Sequence, residues 1–184
     1  MQNWDLGPYF EPFEHYALLR HVVGLASGTA LEFGVASGVS TGIIAERMPL
    51  IGFDSFSGLP EHWRPDFRAG TFAQPPPEVP NCQLVVGWFE DTVPGFAVPD
   101  DVGLLHIDCD LYSSTKTVLD HVGPHLKPGT YIVFDEFWHY DDGPGASWMD
   151  HEYRAWKEYA DRTGAYWDVI GHSHEAWAIK LKGN

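Results

Sequence analysis

A mostly parallel α/β sheet of seven strands, Rossmann-like, with helices on both faces and one antiparallel strand near the end, is the fold this sequence predicts. Three observations carry it. Short apolar runs suited to buried strands alternate with stretches of helical periodicity. Two of those runs, at 104–107 and 131–134, break off into carboxylates, Asp108 and Asp110 in one case and Asp135-Glu136 in the other. Finally, the runs at 166–170 and 176–181 are joined only by Gly171-His172-Ser173-His174-Glu175, a connection short enough to favour an antiparallel pair.

Taken in order, the chain supports each element. Phe13, Tyr16, Ala17, Leu18, Leu19, Val22 and Val23 form a helix-like stripe over about 11–26. That places an N-terminal helical segment within residues 1–28, packed on or near the active site. Thr29 to Gly34 is a short strand, and Gly34-Val35-Ala36-Ser37-Gly38 turns into a helix marked by Ile43, Ile44, Ala45 and Met48, with Ser37 or Ser40 as N-cap. Residues 50–54 form a second strand ending in Asp54. Residues 57–80, rich in Pro and Gly, are a long loop of the kind that is functional or disordered. A third strand covers 82–86, and 87–92 is a turn with one helical turn.

The fourth strand leads into Ser113-Ser114-Thr115, which opens a helix near 113–123 with Val118, Leu119, Val122 and Leu126 on its apolar side. The fifth strand follows at 131–134. Gly143-Pro144-Gly145 then breaks the chain. Ser147 and Asp150 resemble a capping box for a helix through about 162, with Trp148, Ala155, Trp156 and Tyr159 facing inward. All 184 residues are expected to form one domain.

Bulk composition narrows the function. With 44% hydrophobic and 20% charged residues the chain is ordinary for a globular protein. Its 11 Lys+Arg against 26 Asp+Glu give a net charge of −15, which disfavours nucleic acid and anionic membranes as partners. Cys82 and Cys109 both sit in apolar runs and are expected as buried thiols. The sequence contains no apolar run of the roughly 20 residues needed for a membrane span, and Met-Gln-Asn-Trp-Asp carries no positive leader region, so a cytoplasmic protein is expected.

Chemistry concentrates at strand ends, where open α/β sheets hold their ligands. Gly34 and Gly38 follow a strand and open a helix, but Ala36 stands where the dinucleotide fingerprint needs its second glycine, which disfavours a dehydrogenase. Glu32 inside an apolar strand calls for a buried partner, such as an ammonium or hydroxyl of a ligand. Asp54 lies 20 residues beyond Gly34, where doubly wound nucleotide sites keep the acid that accepts from ribose hydroxyls. The acids at 108, 110, 135 and 136 would repel one another unless a cation or shared proton compensates them, so they suggest a metal or an acid/base site. Asp110 could instead cap the following helix. Trp138-His139-Tyr140, with His172 and His174, could line a pocket for a sugar or aromatic acceptor.

The segments at 32–41 (EFGVASGVST), 53–61 (FDSFSGLPE), 87–94 (GWFEDTVP), 106–115 (HIDCDLYSST) and 134–137 (FDEF) together resemble the S-adenosylmethionine-dependent class I methyltransferases of the macrocin O-methyltransferase type. The resemblance implies O-methylation of a small-molecule hydroxyl, on a sugar or a phenolic natural product. It implies cofactor contacts from Glu32, Gly34, Ser37, Gly38, Asp54, Ser55, Trp88, Phe89 and Asp108, with Glu32 and Gly34 at the methionine end and 87–89 near the adenine. It also implies a Mg²⁺ ion on Asp108, Asp135 and Glu136, where the family's usual pair is Asp-Asp and Glu136 lengthens one arm. Asp108 or His139 would take the hydroxyl proton. The competing expectation is a non-catalytic nucleoside-binding module serving as a partner subunit, and a homo-oligomer is left open.

Overall fold

The computed structural model describes residues 6–10, 16–138 and 147–183. Its strands are β1 (Thr29–Phe33), β2 (Leu50–Asp54), β3 (Cys82–Val86), β4 (Val102–Ile107), β5 (Tyr131–Phe134), β6 (Trp167–His172) and β7 (Trp177–Leu181). They form one sheet in the order β3-β2-β1-β4-β5-β7-β6. The β1–β2, β1–β4, β2–β3 and β4–β5 pairs are parallel, and β7 runs antiparallel to both β5 and β6. The predicted sheet is therefore present, with its one reversed strand. Strand order reverses between β1 and β4, and the ends of those two strands flank the crevice.

Because side chains alternate across a strand, the two faces take alternate residues of each strand. Leu31, Phe33, Leu105, Ile107, Ile132 and Phe134 pack with the helices α4 (Tyr112–His121) and α5 (Glu152–Thr163). Ala30, Leu104, Tyr131 and Val133 face α1 (Ala17–Leu25) and α2 (Val39–Ala45), and a single helical turn, α3 (Phe89–Thr92), follows β3. Under α5 lies an aromatic cluster in which Phe137 stacks on Trp177 at 4.4 Å and Trp156 meets Trp167 edge-on at 5.2 Å. No helix among the described residues is long and apolar enough to cross a membrane.

Three element boundaries differ from expectation, each for a local reason. Gly38, in the left-handed conformation, is the N-cap of α2, and neither Ser37 nor Ser40 caps it. Ser147 does cap, but its hydroxyl accepts from Met149 N in a 3-10 turn at Trp148–Asp150; α5 starts only at Glu152. The hydrophobic residue Trp148 thus packs outside the helix, against a small cluster of Leu59, Trp63 and Leu111. The Ser113-Ser114-Thr115 run lies inside α4, whose first residue is Tyr112 and whose N-cap, Leu111, lends no side-chain bond.

Residues 57–80 are folded over the strand ends. Leu59 N donates to Thr71 O, Gly70 N to Leu59 O and Trp63 N to Phe67 O. Arg64 lies over the Trp63 ring at 3.8 Å and pairs with Glu175 of the β6–β7 turn at 2.9 Å. Ser113 donates to Glu61 at 2.6 Å, tying the loop to α4. Its apolar residues thereby gain a core of their own, which gives an otherwise irregular segment a fixed shape.

Candidate active site

Where the strands end, a cavity of about 490 Å³ opens under the 57–80 loop. That is the size range of small-molecule and cofactor sites. Gly34, Asp54, Ser55, Trp88 and Phe89 line one part, Asp108, Asp135 and Glu136 another, and all eight were singled out by sequence. Glu32, Ser37 and Gly38 do not line it. Gly38 instead turns away, since a Cβ there would meet Pro77 Cγ at 2.9 Å. His139 lies outside the described residues. His172 does not line the cavity either: it packs edge-on with Trp138, and its Nδ1 bonds to Leu6 O.

Two backbone features shape the floor. Gly34 has φ +97°, and a Cβ there would sit 1.6 Å from the Asp108 carbonyl oxygen, so only glycine lets β1 and β4 leave the sheet this close together. Asp54 then staples the turn. One carboxylate oxygen accepts from Val35 N and Ala36 N, each at 2.9 Å, and the other from Phe56 N at 2.7 Å. The sequence marked Asp54 as a ligand contact; the structure adds that it also organises both flanking loops.

Acid is dense on the other side. Asp108, Asp110 and Glu136 offer carboxylate oxygens within 4.8 Å of one another, and so do Asp108 and Asp135 with a ring nitrogen of His106. Burial pushes the Asp108, Asp110, Glu136 and Glu152 carboxyls upward, and their neighbouring carboxylates add to it. Asp110 rises to about 7 even though a hydrogen bond with Glu136 and the charge of Arg64 pull the other way. Asp110 is therefore no helix cap; it adopts a left-handed φ of 64° and turns its carboxyl toward Glu136.

Sequence reasoning passed over three participants. Glu152 is fully buried and accepts from Glu136 N, yet on paper it resembles an ordinary first-turn acid. Tyr16 lines the cavity, and burial followed by the charges of Asp108, Asp135, Glu136 and Glu32 raises its phenol to about 12, keeping it a neutral donor. His106 is fully buried and joins its ring Nδ1 to Glu32 Oε1 at 3.0 Å, while Thr41 donates to Glu32 Oε2 at 2.6 Å. Glu32 thus has protein partners in the place where a ligand group was expected.

The donor set suits a hard divalent cation, since Glu136 Oε2 and Glu152 Oε1 are buried without a hydrogen-bond partner among the described residues. The opposite end suits an adenosyl group, with an acid and two aromatic side chains around a glycine-floored recess.

A family model described as a methyltransferase domain matches residues 31–137. The chain is 30% identical over 103 residues to the 8-demethyl-8-(2,3-dimethoxy-alpha-L-rhamnosyl)-tetracenomycin-C 4'-O-methyltransferase of Streptomyces olivaceus, across 50% of this chain and 39% of that protein. It is 34% identical over 91 residues to the mycinamicin III 3''-O-methyltransferase of Micromonospora griseorubida, across 46% of this chain and 34% of that one. These matches span well under half the length of either relative. Among solved structures, the calicheamicin methyltransferase CalS11 superposes with a TM-score of 0.69 at 25% identity, covering 91% of this chain and 77% of that one. The O-methyltransferase NovP gives 0.68 at 20%, covering 90% and 78%, a likeness of fold.

Proposed function

This chain belongs to the methyltransferase domain family, and on that premise we propose that it moves the methyl group of S-adenosyl-L-methionine onto a hydroxyl of a small natural product, a sugar or a phenol. The supporting observation is the single cavity in which Gly34, Asp54, Trp88 and Phe89 face Asp108, Asp135 and Glu136. Asp54 and Ser55 take the ribose hydroxyls, Trp88 and Phe89 the adenine, and the recess beside Gly34 the methionine end. Ser37 and Gly38 serve by holding the turn. The whole chain acts as one domain, with the α1 segment bringing Tyr16 to the acceptor side.

Asp108, Asp135 and Glu136 would hold Mg²⁺, assisted by Asp110. When bound, the ion supplies Lewis acidity that lowers the pKa of a nearby hydroxyl. The chain's own part is placement. The sulfonium donor is already activated, so orienting the acceptor oxygen and excluding water supply most of the rate. Tyr16 donates to the acceptor, and Asp108 takes its proton. The 57–80 loop covers the crevice.

Two measurements test this. Calorimetric titration with S-adenosylhomocysteine should show one site per chain, and Asp54→Ala should abolish it. Methyl transfer from labelled donor to a panel of glycosylated and phenolic acceptors should require Mg²⁺ and fall at least ~100-fold in Asp108→Asn. No binding of the demethylated cofactor sinks the proposal. Binding without turnover on any acceptor points to a non-catalytic module instead.

A further inference from the structure

His106 stands apart from the residues assigned above. It sits in β4 with no exposed surface, and its Nε2 has no hydrogen-bond partner among the described residues. A buried ring nitrogen left unsatisfied costs about 1–3 kcal/mol, so a structural histidine here would be a poor choice. Its Nδ1 is held by Glu32 at 3.0 Å, and Thr41 in turn holds Glu32 at 2.6 Å. A carboxylate that accepts from one ring nitrogen fixes the tautomer and presents the other nitrogen's lone pair, the arrangement found behind metal-ligating histidines. A ring nitrogen of His106 and carboxylate oxygens of Asp108 and Asp135 lie within 4.8 Å of one another, close enough to surround one ion.

We propose that His106, Asp108 and Asp135 form a nitrogen-containing divalent-cation site, oriented by Glu32 and Thr41, which shares Asp108 with the all-carboxylate set of Asp108, Asp110 and Glu136 and competes with Mg²⁺ for Asp108 and Asp135. Imidazole disfavours Mg²⁺, which takes oxygen ligands, and favours ions such as Co²⁺ and Zn²⁺. A borderline first-row ion therefore takes the shared Asp108 together with His106 and Asp135, whereas a harder ion takes it with the neighbouring carboxylates alone. The inference does not depend on methyl transfer.

The test uses the metals alone on the full chain. Pulsed electron paramagnetic resonance of the wild type loaded with one equivalent of Co²⁺ should show ¹⁴N modulation from a coordinated imidazole that His106→Gln lacks. Calorimetry should show Co²⁺ binding at least ~100-fold tighter than Mg²⁺. In His106→Gln, Co²⁺ affinity should fall about 10- to 100-fold while Mg²⁺ affinity changes less than about threefold, and Glu32→Gln should weaken Co²⁺ by about tenfold. Absence of ¹⁴N modulation in the wild type overturns the site and leaves His106 as a packing partner of Glu32. Equal loss of both metals in a folded His106→Gln overturns it as well. If that variant does not fold, the wild-type spectrum decides. S-adenosylhomocysteine titrated in parallel separates the two ideas: nitrogen ligation without its binding ends the methyltransferase reading and leaves the metal site standing.

Discussion

Asp110 shows how much one side chain can differ from its place in the sequence. It follows the strand by three residues and precedes a helix, the usual setting of a cap, yet it is buried against Glu136 and keeps its proton to about pH 7. An unfolded carboxyl lets go near pH 4. Between those values the native state binds the extra proton, so stability falls as pH rises across that window. Asp108, Glu136 and Glu152, raised by the same burial, push in the same direction. Thermal stability without metal should therefore fall from about pH 5 to pH 8, and Mg²⁺ should restore it. Asp110→Asn removes one of the crowded charges. It should raise the metal-free Tm at pH 8 by about 2–4 °C, on the order of 1 kcal/mol, and shrink the gain from Mg²⁺. The strand-end acids were legible because a carboxylate after an apolar run has few innocent explanations. Glu152 and His106 were not, because what distinguishes them is who faces them across the fold.

The 57–80 segment makes the same point for elements. Pro and Gly identified it as a loop, but nothing in its composition shows that Trp63, Leu59 and Leu111 would bury one another or that Arg64 would reach Glu175, 111 residues away. Arg64→Ala removes both the ion pair and the stacking on Trp63, worth about 1 kcal/mol together. Faster hydrogen exchange at the Leu59 and Trp63 amides is expected, with acceptor KM rising more than kcat falls. Unchanged exchange would mean that the apolar cluster alone holds the loop. Strands were read to within two residues at most ends, since their periodicity and boundaries are local. Helix starts were less legible: α2 is capped by a glycine conformation and α5 is preceded by a 3-10 turn, and both depend on backbone geometry more than residue type.

For the molecule as a whole, the largest aromatic cluster and the recess beside Gly34 and Asp54 are drawn from different strands, β5 and β7 for the one and β1 and β2 for the other. The aromatic cluster around Trp177 and Trp156 lies on the β7 side, so Trp177→Ala should cost about 3–5 kcal/mol, lowering Tm by roughly 10 °C, while leaving cofactor affinity in the folded fraction unchanged. Calorimetric melting beside a ligand titration checks both halves. Strand–helix alternation predicted the parallel part of the sheet, and the short Gly171–Glu175 connection predicted its reversed strand. The contact of Gly34 with the Asp108 carbonyl has a further meaning. It welds the exits of β1 and β4, so the spacing between the recess beside Gly34 and the acidic bed is written in main-chain atoms. Substitutions in the loops above can then reshape the mouth of the cavity while the ruler beneath them keeps its length.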